Sequence, residues 1–275
     1  MDGELICIDD GSRDQSFEIL KGFAAQDQQI KVIRLVKNVG AHTALLAGMD
    51  HASGEAIAII MADLQDPPEL LLDMVRSWQK GSKIVIAART EREDRLIDRL
   101  FAGIFWSFMR KFAVKNMPRG GFDYVLFDQA VKEVLVKTRE RNSHLMVQIL
   151  HTGFSADIIP YTRRKRKAGK SKWTFAKKLK LFIDSAIAFS NIPVRTMSVL
   201  GFVTAFVGFT FATLIVLRRL FFGTPVIGWT SLIVIILMLG GIQMLMLGVI
   251  GEYLWRIFDD TRNRPLYVAA EKINL

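Results

Sequence analysis

Over the first ninety residues, short unbroken apolar runs alternate with longer stretches whose apolar positions recur at helical spacing. Residues 4–8 read as a short buried strand that ends at Asp9-Asp10-Gly11-Ser12. Phe17, Ile19, Leu20, Phe23 and Ala24 then fall on one side of an amphipathic helix. Ile30 to Leu35 is a second strand, Asn38-Val39-Gly40 a turn, and Ala41 to Ala52 a helix of small residues. Ala56 to Met61 is continuously apolar, as in a strand covered on both faces. Pro67-Pro68 opens the next helix, where proline is tolerated, and Lys83 to Ala88 is a further strand. Strand and helix in alternation predict an α/β sheet, mostly parallel, with helices on both faces. Ligands of such sheets bind beyond the carboxyl ends of the strands, where the clusters Asp9-Asp10 and Asp63 to Asp66 both fall.

A long helix is expected from Arg95 to about Val114, followed by the glycine-bearing segment Gly120 to Tyr124. Helical stretches around Asp128–Thr138 and Asn142–His151 lead to an edge strand from Ser155 to Tyr161. The pattern then changes. Arg163-Arg164-Lys165-Arg166-Lys167 is a run of cations, and Gly169 to Lys172 is a loop. Trp173 to Phe189 is an amphipathic helix, with Lys177, Lys178 and Lys180 opposite Phe175, Leu179, Phe182 and Ile183, as in a helix lying on a membrane surface.

Two charge-free stretches follow. Met197 to Leu217 reaches about 32 Å as a helix, enough for one bilayer crossing. Leu220 to Gly251 exceeds one crossing; Pro225 and Gly228 mark its entry, with the span from Trp229 to Gly251. Lys177, Lys178, Lys180 and Arg195 precede the pair and Arg256, Arg262 and Arg264 follow it, against Arg218 and Arg219 in the connection. Positive charge therefore places the first domain and both termini on the cytoplasmic side of a multi-pass inner (plasma) membrane protein. Gly240, Gly241, Gly248 and Gly251 would admit a close helix neighbour, either the first span or a second copy in a homo-oligomer.

Composition agrees with this division: 51% hydrophobic residues, yet 23% charged. A net charge of +10 suits polyanions, and the membrane segments favour anionic lipid or phosphate ligands. The cations cluster beside the membrane segments without interleaved aromatics, so nucleic acid is not expected as a partner. Cys7 is the single cysteine, which rules out an internal disulfide and fits a reducing compartment. The residues from Met1 do not read as a signal peptide. His42, His51, His144 and His151 lack paired metal-site spacing and are read as structural.

Asp9-Asp10-Gly11-Ser12 places carboxylates and a flexible turn where they could bond a base or ribose; it is also a common helix-entry turn. Asp63-Leu64-Gln65-Asp66-Pro67-Pro68-Glu69 offers hard oxygen ligands beside a rigid turn, as Mg²⁺ or Mn²⁺ requires. Asp66 and Glu69 would equally stabilise a helix N-terminus.

Together these motifs resemble the family 2 glycosyltransferases of GT-A (Rossmann-like) fold, and within them the polyprenyl-phosphate branch related to dolichyl-phosphate mannose synthase. The likeness runs through Asn38-Val39-Gly40 with Ala44 and Gly48, the Asp63-to-Glu69 block, Gly121-Phe122-Asp123 and Gly169 to Trp173. It continues in Leu239 to Gln243, Gly248 to Tyr253 and Arg264-Pro265-Leu266-Tyr267. The resemblance implies inverting transfer of a sugar from a nucleotide sugar to polyprenyl (undecaprenyl) phosphate at the cytoplasmic face, for cell-envelope glycan or lipid modification. It implies donor binding by Asp9, Asp10, Asn38, Asp63 and Gln65, with metal on Asp63 and Gln65. Asp63, Arg89 and Arg92 form the implied catalytic set, and Arg163, Arg166 and Lys172 would hold the acceptor phosphate.

The chain departs from the family at three places. Relatives carry a central strand before the first acidic pair, whereas eight residues precede Asp9 here, so the catalytic domain is expected to lack that strand. Met61-Ala62-Asp63 stands where the family often has Asp-Ala-Asp, and Asp123 where many relatives have arginine. A reading of another class therefore stays open: a non-catalytic membrane protein that binds polyprenyl phosphate or a partner subunit. The expected organisation is a GT-A-like domain over residues 1–160, a basic loop and juxtamembrane helix over 161–195, a transmembrane hairpin over 196–251 and a cytoplasmic tail over 252–275.

Overall fold

The computed structural model describes residues 3–63, 65–89, 103, 107, 110, 117–118, 121–139, 144–162, 164, 187, 192–222 and 228–275. Most of the expected helix from Arg95, the basic run except Arg164, and nearly all of the expected interfacial helix lie outside them. The chain divides into two compact units, Met1–Ser185 with Arg264–Leu275, and Ala186–Asn263.

In the first unit, strands β1 (Leu5–Asp9), β2 (Ile30–Leu35), β3 (Ala56–Ile59) and β4 (Ile84–Arg89) arise from the four apolar runs. Helices α1 (Ser16–Gln26), α2 (Ala41–His51) and α3 (Leu70–Gln79) connect them. Then come β5 (Tyr124–Asp128), α4 (Gln129–Thr138), α5 (Leu145–His151) and β6 (Ala156–Tyr161). The Asp128 carboxylate caps α4 by accepting the Ala130 N–H at 3.0 Å. Beyond the membrane-type helices comes β7 (Ala269–Ile273).

The strands form two sheets, ordered β1-β2-β7 and β3-β5-β4-β6. β1 pairs parallel with β2, and β4 with β6, as expected; β6 lies at an edge. The sheets are nevertheless mixed, because β5 runs antiparallel to both β3 and β4, and β7 antiparallel to β2. These two strands were not evident in the chain pattern, and they supply every antiparallel pair. Leu5 of β1 is 52% exposed, while Val32, Ile33 and Leu35 of β2 are almost fully buried.

The segment expected as a tail thus completes the first sheet. Val36 N–H donates to the Val268 carbonyl at 3.0 Å. Asn274 Nδ2 donates to the Ala24 and Ile30 carbonyls at 2.8 and 2.9 Å, and Lys21 pairs with Glu271 at 3.1 Å. Tyr267 O–H donates to Asp50 at 2.8 Å. In the core of the second sheet, Met74 of α3 packs with Val85, Ala87, Tyr124, Leu126 and Tyr161.

The second unit consists of α6 (Ile192–Phe222) and α7 (Trp229–Thr261). Val194–Arg218 and Met238–Thr261 have mean hydropathies of 2.3 and 1.3, and none of the residues in the apolar window of either is buried within the protein. Both helices are long and apolar enough to cross a membrane. Their contact includes Gly201, where a Cβ would sit 3.3 Å from the Met246 methyl. Gly240, Gly241, Gly248 and Gly251 have no described neighbour within 4 Å of an added Cβ, so their small size does not serve this contact.

Candidate active site

Three groups of side chains stand at the ends of the strands. The first is built on β1. Asp9 is buried, its Oδ1 accepts the Ser12 N–H at 3.1 Å, and Arg34 Nε lies 3.7 Å from its Oδ2. Asp10 Oδ1 accepts the Val39 N–H at 2.7 Å and Oδ2 the Gly40 N–H at 3.0 Å, just ahead of α2. Asn38 Nδ2 donates to the Asp10 carbonyl at 3.1 Å. Gly11 is left-handed (φ +68°), and a Cβ there would come within 2.8 Å of the Lys37 and Asn38 backbone, so this close approach requires glycine. Asp10 and Asn38, both sequence-derived donor residues, therefore cross-brace two loops. A carboxylate on the first turn of α2 is also favoured by the helix dipole.

The second group follows β3. Asp63 Oδ1 accepts the Gln65 N–H at 3.2 Å. The Gln65 carbonyl accepts the Arg164 N–H at 2.9 Å, and Gln65 Nε2 donates to the Arg164 carbonyl at 3.4 Å. Gln65 Oε1 remains as the acceptor end of that amide. Glu69 pairs with Arg164 at 3.2 Å; the backbone and the guanidinium hold its carboxyl below the usual range. Asp66 is fully buried and accepts the Tyr161 O–H.

The third group lies where β4 and β6 end and β5 begins. Arg89, with its side chain 8% exposed, is ion-paired with Asp123 and hydrogen-bonded to Tyr161. Burial raises Tyr161 to about 12, and its bond to Asp66 adds to this. Tyr124 is likewise pushed up to about 12, by burial and then by the charges of Asp66 and Glu69. His144 is close enough to His42, in the first turn of α2, and to Asp123 to feel both charges. Burial drives its pKa down to about 4; Asp123 opposes this and His42 reinforces it.

Of the sequence-derived residues, the structure thus joins Asp10 to Asn38 and Asp63 to Gln65, and gives Arg89 a carboxylate partner. Arg92, Arg163, Arg166 and Lys172 lie outside the described residues. Asp66, Asp123, Tyr161 and Arg164 were missed as site residues. Asp66 sat inside the acidic motif, but its burial and its partner 95 positions away leave no mark in the sequence.

Among the described residues no three His, Cys, Asp or Glu side chains converge as a metal site. Asp63 and Gln65 nonetheless offer two hard oxygen ligands on one turn, a donor set that fits Mg²⁺ or Mn²⁺ completed by phosphate and water.

The sequence profile described as glycosyl transferase family 2 matches residues 1–123. An uncharacterized glycosyltransferase of Bacillus subtilis, YkcC, is 36% identical over 273 residues, covering 99% of this chain and 84% of the relative. The chain belongs to glycosyl transferase family 2. Other family 2 relatives carry more specific names. A bactoprenol glucosyl transferase of Shigella phage SfII is 34% identical over 266 residues, 96% of this chain and 86% of the relative. A prophage bactoprenol glucosyl transferase homolog of Escherichia coli K12 is 35% identical over 96% of this chain and 87% of its own. The chain is thus a glycosyltransferase of GT-A-like fold, with two candidate membrane helices ahead of the last strand of its catalytic unit.

Proposed function

We propose that this glycosyltransferase moves a sugar from a nucleotide donor onto polyprenyl phosphate at the cytoplasmic face of the membrane, with inversion at the sugar carbon. The observation that carries the reading is the likeness to bactoprenol glucosyl transferases over 96% of the chain, a length that takes in the apolar hairpin as well as the sheet domain. A lipid-linked acceptor must be met at the membrane surface, since exposing its chain to water costs about 0.8 kcal/mol per CH₂, and such a hairpin would hold the enzyme there.

In this reading a phosphate oxygen of the acceptor attacks the sugar carbon in line, and the bond to the nucleoside diphosphate breaks. The acceptor phosphate is already anionic near neutral pH, so no protein base is required. Asp9, Asp10 and Asn38 shape the nucleotide end of the site, and Asp63 and Gln65 would hold a divalent cation on the donor diphosphate. When bound, that cation screens the diphosphate and stabilises it as the leaving group. The Arg89 charge is already matched by Asp123. Acceptor phosphate is therefore assigned to Arg163, Arg166 and Lys172, in the basic stretch that leads from β6 to the hairpin.

Connectivity supports the membrane arrangement in this reading. The chain leaves the catalytic unit before Ala186 and rejoins it at Arg264. A membrane hairpin inserted in this way would have both ends on one side, and its flanking Lys and Arg residues favour the cytoplasm for that side.

The test is incubation of membranes containing the protein with a panel of radiolabelled nucleotide sugars and undecaprenyl phosphate, followed by lipid extraction. One donor should give labelled lipid that depends on added undecaprenyl phosphate. No label from any donor, with the protein shown to be folded, sinks the proposal.

A further inference from the structure

Tyr161 is absent from the sequence-derived set, yet three strand ends and the acidic loop meet at it. It is the last residue of β6 and the register partner of Arg89 on β4. Its hydroxyl donates to Asp66, and Arg89 bonds to Tyr161 while pairing with Asp123 just ahead of β5. Asp66 is 0% exposed and Tyr161 7%. Burying a carboxylate is costly unless it is hydrogen-bonded, so this arrangement is not an ordinary helix-start acid. Glu69, three residues on, shows the contrast: it lies at the start of the same helix with its side chain 69% exposed.

The position of Asp66 gives the burial a purpose. It lies one residue from Gln65 and three from Asp63. The Gln65 carbonyl is also held by the Arg164 N–H, three residues beyond Tyr161. The acidic loop is thus fastened at two successive residues to β6 and its continuation. Through Arg89 and Asp123 the fastening extends to β4 and β5, the most buried strands of that sheet.

We propose that Tyr161 and Asp66 are positioning residues of the donor site. The series Asp66–Tyr161–Arg89, buried throughout and ending on the half-exposed Asp123, holds the loop so that the Asp63 carboxylate and the Gln65 amide oxygen present a preformed pair of ligands to the divalent cation on the donor diphosphate. The proposal rests on the donor reading given above. It explains how a site with one carboxylate on this turn can work: fewer ligands demand a more rigid presentation of those that remain. A displacement of about 1 Å at such a site can cost on the order of 10²-fold in rate. It also explains why the hydroxyl of Tyr161 matters separately from its ring, which packs in the core with Met74 and Val85.

The experiment uses the full chain in nanodiscs and Mn²⁺ alone as the probe, with free Mn²⁺ counted by electron paramagnetic resonance. Wild type is compared with Tyr161→Phe, Asp66→Asn and Asp63→Asn. A Trp78→Phe variant, which removes the Trp78–Asp128 hydrogen bond elsewhere in the same domain, controls for general loosening. Tyr161→Phe and Asp66→Asn should weaken Mn²⁺ binding at least tenfold and raise KM for the nucleotide sugar, leaving KM for undecaprenyl phosphate unchanged. If Asp66→Asn does not fold, Tyr161→Phe, which keeps the ring, decides. Wild-type Mn²⁺ affinity in Tyr161→Phe overturns the proposal, and loss of Mn²⁺ in Asp63→Asn then leaves the donor reading standing. An equal loss in Trp78→Phe at matched Tm also overturns it. Undiminished Mn²⁺ binding by Asp63→Asn removes both the donor reading and this proposal.

Discussion

The Asp10 carboxylate accepts the Gly40 N–H at 3.0 Å across thirty residues of sequence, and its other oxygen takes Val39. One side chain therefore neutralises the start of α2 and ties the loop after β1 to the loop after β2. Asp10→Ala should lower stability by about 1–2 kcal/mol, the usual value of a strong N-terminal cap. A fall in Tm should accompany a rise in KM for the nucleotide sugar. Unchanged Tm would show that water replaces the carboxylate at no cost.

Asp63 carries the metal prediction. Excess EDTA should abolish transfer by the wild-type protein, and Mg²⁺ or Mn²⁺ should restore it. Asp63→Asn should lose activity at least a hundredfold with Tm unchanged within about a degree, because asparagine keeps an oxygen to accept the Gln65 N–H and the Asp66 and Gln65 anchors remain. Full transfer in the presence of chelator excludes the mechanism.

Much of the fold was legible because its strands are dense in Val, Ile and Leu. The edge position of β6 and the start of α4 at Asp128 were also readable. β7 was not: Ala269-Ala270-Glu271-Lys272-Ile273 has little strand character of its own. It becomes a strand because β2, more than two hundred residues earlier, offers an edge. β5 was hidden by the glycines ahead of it. In the site, Asp63 and Gln65 stood out as oxygen ligands. The burial of Asp66 did not, because it depends on Tyr161, a tertiary partner that no local pattern announces. Asp123 looked like a departure from its family until Arg89 was found beside it.

Acid should act through His144. Its folded pKa, about 4, lies below the unfolded value of 6.5, so the unfolded chain binds the proton more readily between them. The contribution is complete above pH 6.5 and is lost as pH falls toward 4. A plot of Tm against pH should decline over this window, and His144→Gln should flatten it. Glu4 acts lower. Burial opposes its ionisation, but Lys31 and Ser53 hold it at about 2, so its contribution is lost as pH falls from 4.5 to 2.

Membrane arrangement can be read by labelling. In a Cys7→Ser background, Leu275→Cys should resist an impermeant thiol reagent in intact cells and react after lysis. Reaction in intact cells would place the C-terminus outside and contradict the cytoplasmic assignment of the hairpin ends.

The pairing of β7 with β2 has a consequence for biosynthesis. The ribosome makes β2 early, but its antiparallel neighbour emerges only after the whole apolar hairpin has been translated. In the proposed arrangement the first sheet would wait with an open edge while the hairpin enters the bilayer, so membrane insertion would precede completion of the catalytic fold. Stopping the chain before residue 186 would then leave an unfinished sheet prone to self-association. A water-soluble enzyme would have to be made by excision: removing 186–263 and joining the flanks with a flexible linker, which keeps the strand that closes the sheet.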